Sequence, residues 1–156
     1  MICYVFRAKP LSFLIAASLV ALAGCSPGDA SQAKLEDEFE KMLTGATLEG
    51  SFTVNGRENE PLRQEKYTIE GVTKLAGGYW TINARIEYGD HDVTVPVPVR
   101  VDWAGDTPVI QLTDATIPGL GTFSARVLFY RGQYAGTWSH GSGGGQQFGR
   151  VIPAGG

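Results

Sequence analysis

The chain has 156 residues, a formal net charge of −3, 19% charged residues and two cysteines. That length suits one domain with a real core. The mild acidity excludes the basic footprint of a nucleic-acid binder, and two cysteines cannot supply a disulfide framework.

The first element in chain order is an export signal. Arg7 and Lys9 precede an apolar run from Leu11 to Ala21, and small residues close it. The stretch Leu11 to Gly24 holds 14 residues, whereas a helix needs about 20 to cross a bilayer.

This segment ends in Leu22-Ala23-Gly24-Cys25. In sequence, position and flanks, these residues resemble the lipobox of bacterial lipoproteins. The resemblance implies cleavage between Gly24 and Cys25, acyl chains on Cys25, and a membrane partner reached through them. Each buried methylene contributes about 0.8 kcal/mol, so two or three chains hold a protein firmly. Ser26 stands where Asp would favour retention in the inner membrane, and so resembles the outer-membrane class, on the periplasmic face. Residues 1–24 are then a signal peptide, 25–31 a lipidated polar tether, and 32–156 a single β domain with an N-terminal helix. Cleavage removes two cations and no acid, taking the charge from −3 to −5. It also removes Cys3, so the domain has no disulfide and no free thiol.

One amphipathic helix follows the tether. Asp29 is placed to cap it, with Gln32 three residues on. Leu35, Phe39, Met42 and Leu43 share one face, and Gly45 suits the C-terminal stop. The opposite face is charged and net acidic, so the helix is expected to pack on the domain rather than on lipid.

From Leu48 the chain alternates at period two. Turn signals punctuate it at Asn55-Gly56, Gly77-Gly78, Gly89-Asp90, Gly105-Asp106, Pro118-Gly119 and Arg131-Gly132. Tyr79 to Tyr88 is the clearest strand, with Trp80, Ile82, Ala84, Ile86 and Tyr88 on one face. His91 to Trp103 buries alternate valines and Trp103. Phe123, Ala125, Val127 and Phe129 line a further strand. Tyr134 and Trp138 mark the seventh, and Phe148 to Ile152 the eighth. The fold class is mostly β: an antiparallel meander of about eight strands forming a small barrel, split barrel or sandwich.

Pro96 and Pro98 bear on that choice. Residues two apart point their N–H groups to one side, so both missing donors fall on one edge. Either this is an edge strand, or the strand pairs different neighbours with its two halves.

Chemical signatures are sparse. His140 lies among glycines with Ser139 and Ser142 beside it, but adjacent strand residues point to opposite faces and no Gly-x-Ser-x-Gly elbow exists. Its glycines read as a mobile hairpin. Gly143-Gly144-Gly145 leads into a strand rather than a helix N-terminus, which a phosphate cradle requires. Asp90, His91 and Asp92 offer too few oxygens for calcium. Zinc would need His91 and His140 together with further ligands. Glu87 and Asp102 read as outward or strand-end residues, while Glu49 and Glu70 stay unplaced.

The aromatic residues Trp80, Trp103 and Trp138, with Tyr67, Tyr88, Tyr134 and Phe148, either fill the core or line a cavity. The three tryptophans are the candidate ligand-binding residues. Gly136-Thr137-Trp138 in a β meander resembles the calycin-type barrels of the lipocalin and avidin group, although the tripeptide sits near the last strand rather than the first. That resemblance implies a carrier of a small apolar ligand. The expected function is a non-enzymatic role in the envelope, either structural or in binding a protein, glycan or lipid, with no metal or other cofactor. A small-ligand carrier and a hydrolase using His140 or Asp92 are the alternatives.

Overall fold

A computed structural model describes residues 27–155. Leu22 to Cys25, which resemble a lipobox, and Ser26 lie outside the described residues. The helix α1 runs Pro27–Leu43 and eight strands follow: β1 Thr47–Phe52, β2 Arg63–Lys74, β3 Tyr79–Tyr88, β4 His91–Ala104, β5 Thr107–Ile117, β6 Gly121–Tyr130, β7 Gln133–His140 and β8 Gly143–Ile152. They form one closed antiparallel barrel in sequence order. Of the three architectures left open by the sequence, the barrel is the one adopted.

The helix begins two residues before the expected cap. Proline lacks an N–H and has a helix-compatible φ, so Pro27 suits the first position, and Asp29 falls inside the first turn. The expected apolar face is the buried one, with Phe39 and Leu43 almost wholly enclosed. Gly45 adopts φ +75°, and its N–H donates to the Ile69 carbonyl at 2.9 Å. This turn swings α1 across one end of the barrel. There Phe39 meets Trp80 edge-on at 5.2 Å, Trp103 at 6.2 Å and Phe129 at 6.5 Å. Lys74 and Glu36 tie the exposed side of the helix to β2.

The proline pair is accommodated by dividing one strand between two neighbours. All of His91 to Arg100 pairs with β3, whereas pairing with β5 runs only from Arg100 to Ala104. The Val101 N–H donates to Gly78 on the β3 side. By alternation Pro96 and Pro98 face the other way, toward the stretch where β5 no longer pairs. The missing donors therefore leave no ladder bond unmade.

Side chains alternate across the wall, apart from one register shift in β2 and one in β5. Ile82, Ala84 and Ile86 of β3, and Val95, Val99 and Val101 of β4, point inward and are buried. The outward positions carry Lys66, Arg85, Glu87, Asp92, Arg100 and Asp102, joined in ion pairs. Apolar inside and charged outside is the reverse of a transmembrane barrel, which faces lipid with its apolar side.

Candidate functional site

The barrel is filled unevenly. At the helix end, Trp80, Phe39 and Leu43 occupy the axis. Toward the other end the interior holds a cavity of about 210 Å³. Its wall is almost entirely apolar, including Ile69, Ile82, Ala84, Val97, Leu112, Ile117, Ala125 and Trp138. Ser124, Gln147 and the Glu65–Tyr67–Tyr134 group supply the polar atoms.

Among the described residues, Glu65 is the charged side chain buried in the core, with 5% of its surface exposed. It sits two residues in from the start of β2. The Tyr67 hydroxyl donates to its Oε2 at 2.9 Å and the Tyr134 hydroxyl to its Oε1 at 2.8 Å. Burial pushes the Glu65 carboxyl above its ordinary value, against the pull of the two tyrosine bonds. The Tyr134 hydroxyl is raised as well, first by burial and then by the neighbouring carboxylate.

The register explains how a tyrosine on β7 reaches a carboxylate on β2. Tyr134 pairs with Gly149, Gly149 with Gly50, and Gly50 with Glu65. These four residues form one row across four strands. Its two middle members lack side chains, so the tyrosine ring lies flat across them. A methyl group at Gly149 would stand 2.7 Å from a Tyr134 ring carbon, and one at Gly50 would collide with the hydroxyl. Trp138 uses the same device one level nearer the open end. It pairs with Gly145, and its indole N–H crosses to the Thr53 carbonyl at 3.2 Å.

The glycine run is thereby explained, and one expectation is corrected. The eighth strand begins at Gly143, not near Phe148, and the hairpin turn is Gly141-Ser142 alone. Gly144 and Gly145 are buried in the ladder, where β1 extends onto them through Asn55 N–H to the Gly144 carbonyl and Thr53 N–H to the Gln146 carbonyl, both 2.8 Å.

The three tryptophans separate. Trp138 lines the cavity. Trp80 is sealed at the helix end, and Trp103 borders a groove outside the barrel, beside Leu35, Met42 and Arg131. Tyr67 and Tyr134 join Trp138 at the cavity, whereas Phe148 points outward and is 41% exposed. The Tyr88 side chain lies outside the described residues.

His140 and Asp92 are each committed elsewhere. His140 stacks on Phe123 at 4.4 Å, and its Nδ1 is 2.8 Å from the Thr122 carbonyl. His140 thus ends β7, next to the two-residue turn Gly141-Ser142. Asp92 accepts two hydrogen bonds from Arg85 at 2.8 and 2.6 Å, which hold its carboxyl below the usual range. Glu49 and Glu70 are exposed on the outer wall. Among the described residues no group of three or more His, Cys, Asp or Glu could hold a metal ion.

Compared with known proteins, the chain matches no family, no curated protein and no solved structure.

Proposed function

We propose that this is a lipid-anchored envelope protein that binds a small apolar molecule inside its barrel, without chemistry of its own. The cavity carries this reading: about 210 Å³ of space walled by aliphatic and aromatic side chains, in a barrel whose outside is charged. Close packing is the default for protein interiors, and a void of this size forgoes contacts that a larger side chain would supply. A dry apolar cavity of about 150 Å³ takes up benzene, so roughly eight to ten heavy atoms fit here. The reading agrees with the calycin-like resemblance at Gly136-Thr137-Trp138. The anchor rests on the lipobox resemblance at Leu22 to Cys25, which implies a protein held at the membrane while its open end receives ligand.

Filling the space tests the binding. Ala125→Phe adds a ring to the cavity wall and should abolish binding of ethylbenzene, measured by titration calorimetry, while the fold persists by circular dichroism. Unchanged ethylbenzene binding in that variant would contradict the site. For the anchor, Cys25→Ser in the full chain should prevent incorporation of labelled palmitate and release the protein from membranes.

A further inference from the structure

The donors in the polar cluster point one way. Both tyrosine hydroxyls spend their hydrogens on Glu65, one on each carboxylate oxygen. A hydroxyl has one hydrogen to give. The cluster therefore turns acceptors toward the cavity: the lone pairs left on the carboxylate and on the Tyr134 oxygen. Among the described residues that line the cavity there is no Lys, Arg or His. A buried carboxylate with two donors and no counterion is incompletely compensated.

Resting on the reading of the barrel as a small-ligand carrier, we propose that its ligand is an apolar amine whose ammonium group binds Glu65 between Tyr67 and Tyr134. An ammonium brings three donors and a positive charge, which the cluster lacks, and no acceptor, which it does not need. A ligand carboxylate brings charge of the wrong sign and more lone pairs. Glu65 is already oriented by its two tyrosines, so binding need not order it. The row Tyr134–Gly149–Gly50–Glu65 is the structural investment behind this arrangement: two strand glycines are spent to bring one hydroxyl to one carboxylate.

Three probes of matched shape test the assignment: phenethylamine, ethylbenzene and phenylacetate. Each is titrated at neutral pH into wild type and into Glu65→Gln, with binding read by calorimetry. Wild type should bind phenethylamine at least a hundredfold more tightly than phenylacetate. In Glu65→Gln that ratio should fall at least tenfold, while ethylbenzene binds as before and so reports an intact cavity. Lowering the pH should erode the wild-type preference as Glu65 gains its proton. Tyr67 from β2 and Tyr134 from β7 are the other titratable groups among the described side chains of the lining, and burial raises the Tyr134 hydroxyl away from that range. An equal or tighter affinity for phenylacetate, or an amine preference untouched by Glu65→Gln, overturns the amine assignment. If ethylbenzene binds wild type and the amine shows no advantage over phenylacetate, only the amine assignment falls. If no probe binds wild type, the carrier reading falls and the amine assignment with it. Loss of ethylbenzene binding in Glu65→Gln alone would make Glu65 a packing residue and also overturn the assignment.

Discussion

The two ends of the barrel use aromatic residues in opposite ways. At the helix end, Phe39 meets Trp80, Trp103 and Phe129 edge to face, and Phe39 and Trp80 fill the axis. At the open end, Tyr134 and Trp138 lie flat against glycine positions and leave the axis empty. The same eight strands run through both regions. The difference comes from the rings' neighbours: bulky partners at one end, and backbone at the other. One end is built for cohesion, and the other holds space around a polar group at some cost in packing.

The largest effect should come from the helix end. Trp80→Ala removes a side chain with 1% exposure from the aromatic cluster. A loss of about 3–5 kcal/mol is expected, the usual range for a large buried aromatic. Chemical denaturation would measure it, and a loss near zero would mean that the two ends do not differ in cohesion.

Next in size is Gly149→Ala. A methyl group there would stand 2.2 Å from the Glu49 carbonyl oxygen, 2.6 Å from the Gly50 Cα and 2.7 Å from a Tyr134 ring carbon, so the paired backbone must open and the tyrosine ring shift off Glu65. Overpacking of this kind costs about 1–3 kcal/mol. The sharper readout is Tyr134 itself. Its hydroxyl proton should shift in the NMR spectrum as the bond to Glu65 breaks, and an unchanged resonance would contradict the glycine-floor account.

A smaller effect concerns pH. The folded-state pKa of Glu65 is raised above its ordinary 4.5. The folded protein therefore binds more protons than the unfolded chain between those two values, and stability falls as pH rises through that window. The contribution is complete below the unfolded pKa and lost above the folded one. Glu65→Gln should remove this slope. Relative to wild type, the variant should gain stability between pH 4 and neutral pH in thermal melts. A relative loss over that interval would mean that the tyrosine bonds outweigh burial.

Arg85→Ala should do least. The side chain bonds Asp92 on the exposed outer wall. Exposed pairs of this kind contribute little. No resolvable change in melting temperature is expected, and a marked drop would show the outer charges to be part of the barrel's cohesion.

Local alternation carried most of the fold. Tyr79–Tyr88 was legible to the residue, because Trp80, Ile82 and Ala84 alternate with polar neighbours without interruption. Closure was not legible, since Pro96 and Pro98 fit either an edge strand or a divided one. Glu65 was missed for a specific reason. A register shift between Ile69 and Gly71 breaks the alternation of β2, so Ile69 and Val72 both point inward. Parity counted back from Val72 puts Glu65 outside, and parity counted back from Ile69 through Tyr67 puts it inside. The glycine row was hidden more deeply. Gly50 and Gly149 are nearly a hundred residues apart, and only the barrel's register sets them between Tyr134 and Glu65. Gly143 to Gly145 looked like a loop for the same reason: their pairing partners are distant in sequence.

On the proposed carrier reading, the empty end of the barrel, and not the filled one, receives the ligand. Methyl-labelled protein titrated with ethylbenzene and followed by NMR tests this most directly. The methyl groups of Leu112, Ile117 and Ala125 line the cavity, whereas Leu43 is sealed beneath the helix and Leu35 borders the outer groove. The account predicts saturable shifts at the first three and none at Leu43 or Leu35. Shifts concentrated at Leu35, or no saturable shift at any of the five, would contradict it.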